Sequence, residues 1–121
     1  MIPRFRAWDK EENKMINWGD LGFFKNKNDE DLRVLDLTYF PPKFKNVKLM
    51  QSTGLKDNDG IEFYKKDIVR NIDSEELGVV EYDEGQFRVS YNGVSEQLWE
   101  IDKDLQIIGN IYENPELLED N

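Results

Sequence analysis

Residues 78–93, GVVEYDEGQFRVSYNG, decide the fold. Gly78-Val79-Val80-Glu81-Tyr82 is rich in β-favouring residues. Gln86-Phe87-Arg88-Val89-Ser90-Tyr91 alternates polar and apolar residues, the period of a half-buried strand. Between the two runs lies Asp83-Glu84-Gly85, and after the second comes Asn92-Gly93. Both are turn signals, because Gly and Asn accept the positive φ that a tight hairpin turn needs. This stretch predicts a β-meander.

Working outward, the same pattern recurs. Towards the C-terminus, Leu98-Trp99-Glu100-Ile101 and Ile107-Ile108-Gly109-Asn110-Ile111-Tyr112 read as strands. Asn114-Pro115-Glu116 then has the marks of a helix start: an Asn cap, Pro in the first turn and an early acid. One short helical turn is expected there. Towards the N-terminus, Asp67-Ile68-Val69 and Ile61-Glu62-Phe63-Tyr64 read as strands, with Val47-Lys48-Leu49-Met50 leading into them. Residues 32–40, LRVLDLTYF, fit a strand through Leu35, Leu37 and Tyr39. They also fit a helical face through Leu32, Leu35 and Tyr39, for which Asn28 to Asp31 would serve as a start. The Val, Thr, Tyr and Phe content favours the strand. Residues 19–31 read as a loop, and Arg4–Trp8 with Lys14–Trp18 as a first hairpin. The aromatic residues Trp8, Phe63, Tyr82, Phe87 and Trp99 are expected in the core. Several short strands at close spacing predict a sandwich or small barrel.

The totals set limits on function. A chain of 121 residues is one domain by size. It has no Cys and no His, so disulfides, most nucleophile–base pairs and the usual zinc sites are excluded. No apolar run approaches the roughly 20 residues of a membrane span, and MIPRFRAWDK has no signal-peptide core. A protein of the cytoplasm is expected, with no membrane partner. The charge is uneven. Residues 1–50 carry 10 Lys/Arg and 8 Asp/Glu, net +2, whereas residues 51–121 carry 6 and 18, net −12. Like charge argues against direct binding of nucleic acid by the second part.

Asp57-Asn58-Asp59-Gly60 raises the question of calcium. With Gly60 at the sixth position of an EF-hand loop, Asp57 and Asp59 fall on the third and fifth. The first position is then Leu55 and the twelfth is Lys66, neither of which can ligate a cation. The stretch is read as a turn shaped by its acids, and no metal or cofactor is expected. Gln51, Thr53, Asp57, Asp67, Asn110 and Glu113 are polar residues set within apolar strand patterns. They are candidates for a binding site, and equally for holding loop amides. No catalytic residues can be assigned.

Three segments carry a family resemblance. Leu49-Met50-Gln51-Ser52-Thr53-Gly54-Leu55-Lys56-Asp57, with Asn58-Asp59-Gly60 and Asp67-Ile68-Val69, resembles the core signature of YopX-like proteins of bacteriophages and prophages. Phe5-Arg6-Ala7-Trp8-Asp9-Lys10 resembles their N-terminal motif, and the run from Ile108 to Leu118 their C-terminal one. The resemblance implies a small barrel of the Src-homology type over residues 51–112. N-terminal strands and a loop over 1–50 would precede it, and a short helix and tail over 113–121 would follow, all in one domain. It implies expression inside a bacterial host and self-association, and it carries over no catalytic residues. Where the family has Gly before the Asp of Asp67-Ile68-Val69, this chain has Lys66, so a regular extension is expected there in place of a tighter turn.

Three functions follow as expectations. The first is a non-catalytic interaction module or self-assembling β protein, whose partner is itself or a host or phage protein. The second is an acidic DNA mimic that occupies a host DNA-binding protein. The third is a carboxylate-based enzyme, supported only by the number of acids.

Overall fold

The computed structural model describes residues 3–25 and 32–119. The suggested helix start at Asn28 to Asp31 lies outside them. The fold is mainly β as expected, and strands dominate the described residues. The chain divides into two compact units, Met1–Met50 and Gln51–Asn121.

In the first unit, β1 (Phe5–Asp9) and β2 (Lys14–Ile16) form an antiparallel hairpin with Ala7 opposite Ile16. A short 3-10 turn, Trp18–Asp20, follows. Then β3 (Leu21–Lys25), β4 (Leu32–Asp36) and β5 (Lys43–Lys45) make a three-stranded antiparallel sheet in that order. The prediction of a loop over 19–31 is therefore corrected. Gly22 and the paired Phe23-Phe24 hide the alternation, yet Phe23 lies opposite Val34 and Phe24 opposite Arg33, on the two faces of one strand pair. The strand reading of 32–40 holds for Leu32–Asp36, and the chain then turns at 37–39. Ala7, Ile16, Leu21 and Val34 form this unit's core, with Phe5, Val47 and Leu49 packed on it. Strand β6 (Lys48–Lys56) runs through the boundary between the units.

In the second unit, the rest of β6 pairs with β7 (Glu62–Tyr64). A five-stranded antiparallel sheet follows in the order β11-β10-β9-β8-β12. Its members are β8 (Asp67–Asn71), β9 (Leu77–Asp83), β10 (Gln86–Tyr91), β11 (Val94–Gln97) and β12 (Leu105–Asn110). The meander read from residues 78–93 is present: Gln86 faces Asp83 across Glu84-Gly85, and Tyr91 faces Val94 across Asn92-Gly93. Phe63, Val69, Val80, Val89, Leu98 and Leu105 are wholly buried together.

Three readings need correction here. Leu98–Ile101 is one turn of helix, α1, not a strand. Leu98 and Ile101, three apart, both reach the core, whereas Trp99 is exposed. The period is thus helical. Tyr82 and Trp99 are exposed at 48% and 61%, so they are not core residues; Trp8 and Phe63 are, and Phe87 packs against the core. Lys66 has φ +78°, so it keeps the left-handed turn that glycine would favour instead of extending the strand. Its ammonium reaches Glu81 at 2.7 Å. The expected C-terminal helical turn is a 3-10 turn, Pro115–Leu118, with Pro at its start.

Candidate functional site

All six polar residues singled out from the sequence lie in the second unit. Asp57 is buried, and its carboxylate accepts three backbone N–H groups: Asp59 and Ile61 on Oδ1 and Ile107 on Oδ2, each at 2.9 Å. This is the chemistry behind the opening acid-glycine run. The side chain folds residues 57–61 into a turn and ties that turn to β12, and Gly60 supplies φ +81°. Asp67 is fully buried and accepts the Tyr64 N–H at 2.7 Å. It lies directly opposite Asn110 on the β8–β12 ladder. Asn110 is also buried, and its Oδ1 accepts the N–H groups of Tyr112 and Glu113. The Thr53 hydroxyl donates to the Phe63 carbonyl at 3.0 Å, and the Gln51 carbonyl accepts the Lys65 N–H. Glu113 is exposed. The structure thus pairs Asp67 with Asn110, gives Asp57, Asp67 and Asn110 backbone partners in turns, and gives Thr53 one across the β6–β7 pair.

A second charged constellation, in the first unit, was not anticipated. Asp9 and Asp36 are both fully buried, and with Glu12 they bring carboxylate oxygens within 4.8 Å of one another. Two lysines enter the cluster. Lys14 Nζ sits 2.8 Å from Asp36, and Lys45 Nζ sits 3.4 Å from Asp9 and 3.2 Å from Glu12. Each buried acid also holds its own turn. Asp9 Oδ1 accepts the Glu11 and Glu12 N–H groups, and Asp36 Oδ1 accepts the Thr38 N–H and hydroxyl. The Tyr39 hydroxyl donates to Glu12, and the ammonium groups of Lys14, Lys43 and Lys45 lie 4.7, 4.2 and 5.4 Å from its ring centroid.

The electrostatics follow from these contacts. Burial pushes the Asp36 carboxyl up, but the Lys14 ammonium and both Thr38 donors outweigh it and hold it below its ordinary value. The Tyr39 hydroxyl, aided by Lys45 and Lys14, lowers Glu12. Contact with Asp36 raises Lys14. Burial works against the Lys45 charge, yet Glu12 and Asp9 raise it on balance. Donation to Glu12 raises Tyr39. A divalent ion could reach three carboxylate oxygens here only by displacing two ammonium groups. The cluster is built as a network of ion pairs in which two ammonium groups offset most of the charge of three carboxylates. Its signal in the sequence was Asp36 itself, an acid between Leu35 and Leu37 with Thr38 two residues on. Such a residue bonds its own following backbone.

The third feature is the outer face of the β3-β4-β5 sheet. Leu21, Val34 and Asp36 turn inward and are buried. The register puts Gly22, Leu35 and Phe44 in one row across the opposite face, with Phe24 and Arg33 in the next. Phe24, Leu37 and Phe44 are exposed at 47%, 45% and 50%. The Phe24 and Phe44 rings meet edge to face with centroids 6.0 Å apart, and the Arg33 guanidinium lies 4.5 Å from the Phe44 ring centroid. A Cβ on Gly22 would come within 3.1 Å of Leu37, so Leu37 lies flat on this face because residue 22 is glycine.

Comparison with known proteins now adds to this geometry. The family model described as YopX protein matches residues 4–119. Among solved structures, the crystal structure of protein EF1440 from Enterococcus faecalis is similar, with a TM-score of 0.70 and 26% sequence identity. The match covers 98% of this chain and 99% of that one. No curated protein matches the chain.

Proposed function

Because the chain belongs to the YopX family, we propose that it is a non-catalytic, self-assembling β protein of phage-infected or lysogenic bacteria, with the outer face of its β3-β4-β5 sheet buried against a second copy. The observation that carries this reading is the exposed strip of Phe24, Leu37 and Phe44. At 47%, 45% and 50% exposure, the three apolar side chains offer roughly 250–300 Å² to solvent, taking each as about 150–250 Å² in full. One side of a standard interface is about 800 Å², with its most apolar part at the centre. The strip has the size of such a centre. Two of its three side chains are phenylalanines, a residue type enriched at interfaces.

The catalytic alternative has weaker support. The three clustered carboxylates already hold two ammonium groups and four donors from their own turns. They are occupied before a substrate could arrive.

The test is the double substitution Phe24→Glu with Phe44→Glu. Both positions are half exposed, so the fold is expected to persist by circular dichroism. The reading expects the native mass in light scattering to fall to that of one chain. An assembly of unchanged mass in the folded variant contradicts it.

A further inference from the structure

We propose that an open cleft in the first unit, floored by Trp8 and ringed by Lys10, Arg33 and Lys48, binds an acidic peptide segment that carries aliphatic side chains. The proposal does not depend on self-assembly. It starts from an imbalance of charge. The chain as a whole has a net charge of −10, and acids outnumber bases 26 to 16. What sets three of its cations apart is where they lie, since Lys43, Lys56 and Lys65 too lack, among the described residues, a carboxylate within ion-pair distance. Among the described residues, none lies within ion-pair distance of Lys10, Arg33 or Lys48, and all three are exposed. They converge on one cleft of about 880 Å³, where the single acid is Glu11. Lys45 also lines the cleft, but its charge is taken up by Asp9 and Glu12. Among the described residues, the cations of the cleft without a carboxylate partner outnumber its acid three to one.

The floor supplies the second half of the recognition chemistry. Trp8 and Val34 are buried at 6% and 8% exposure, and Val47 and Leu49 complete an apolar surface between the cations. Trp8 is the one aromatic residue of the lining. The volume falls in the roughly 300–1,000 Å³ range typical of ligand clefts, and the combination of apolar walls with a few polar groups is also typical.

An acidic peptide fits better than a nucleotide or nucleic acid. The cleft has no glycine-rich loop and no long helix start to cradle phosphates. The Arg33 guanidinium offers a carboxylate paired, planar donors. Isolated carboxylates separated by leucine-like side chains match three separated cations over an apolar floor.

The probe is the pentapeptide Glu-Leu-Leu-Glu-Asp, acetylated and amidated, titrated into the full ¹⁵N-labelled chain. The readout is the indole N–H resonances, since the chain has three tryptophans and two of them, Trp18 and Trp99, do not line the cleft. The expected result is a saturable shift of the Trp8 resonance alone. Affinity should weaken about tenfold or more in the Lys10→Glu, Lys48→Glu variant, a change of sign at two exposed positions. It should also weaken as salt rises. Replacing both leucines of the peptide by alanine should weaken it further. No Trp8 shift, or a shift unaffected by the double variant, overturns the proposal. A stronger shift with ATP than with the peptide also overturns it, in favour of a phosphate site. Should the Phe24→Glu, Phe44→Glu chain fail to change mass, the peptide titration still stands or falls by itself.

Discussion

Replacing Asp57 by Asn separates a turn-holding carboxylate from a ligand-binding one. The two side chains have nearly the same shape, so packing is not at issue. Asp57 accepts three buried backbone N–H groups, two on Oδ1 and one on Oδ2. An asparagine oriented to keep its oxygen towards Asp59 and Ile61 points its NH₂ at the Ile107 N–H. Donor then faces donor, and that buried amide loses its partner at a cost of about 1–3 kcal/mol. The two remaining bonds change from charge-assisted to neutral, and each weakens by about 1 kcal/mol. The flipped orientation strands two amides instead of one and is worse. The total is roughly 3–5 kcal/mol, a large part of the 5–15 kcal/mol that holds a typical domain together. For a chain of this length, 1 kcal/mol moves Tm by about 3–5 °C, so a fall of roughly 10–20 °C is expected. Urea unfolding followed by circular dichroism measures it, with the slope m required to stay constant. A loss below about 1 kcal/mol would refute the reasoning and return Asp57 to the set of residues free to meet a ligand.

Three further outcomes are expected. Gly109→Ala would place a Cβ 2.4 Å from Asn114 Oδ1, which accepts the Asn110 N–H; this should break the turn that starts the C-terminal segment, seen as faster hydrogen exchange of the Asn110 amide. Asp36 and Glu12 have lowered carboxyl values, so their contribution to stability is complete above the ordinary carboxylate value of about 4 and is lost as pH falls through the lowered folded values. The raised values of Lys14, Lys45 and Tyr39 act in the opposite direction: their contribution is complete below about 10 and is lost as pH rises through the raised values. The urea midpoint against pH should fall at both ends, and Asp36→Asn should flatten the acid limb; an unchanged acid limb contradicts the network. Lys66→Gly relieves a left-handed lysine but removes its pair with Glu81 and loosens the unfolded chain, so it should change stability by no more than about 1 kcal/mol, whereas Lys66→Val should cost more than that.

The legible parts of the fold were those where side-chain period and turn chemistry agree. Residues 78–93 state both, and the meander is there. Lys66 was misread because a lysine carries no sign of positive φ; the turn is imposed by Asp67, whose carboxylate holds the Tyr64 amide. Leu98–Ile101 was misread because Trp99, an apolar residue facing solvent, masks a spacing of three. Of the six candidate site residues, four proved to hold backbone amides or a carbonyl, a role that polar residues in apolar patterns announce equally well. The cluster of Asp9, Glu12, Asp36, Lys14 and Lys45 was not legible as a unit. Its members come from four strands of two separate sheets and a turn, and only tertiary packing brings them together.

The most direct test of the central claim is the native mass of the unmodified chain by light scattering over a wide range of dilution, at low and at high salt. Burial of the Phe24–Leu37–Phe44 strip predicts a defined multiple of the 14.4 kDa chain that persists at high salt, because apolar contacts are not screened. A mass of one chain at every concentration would contradict it.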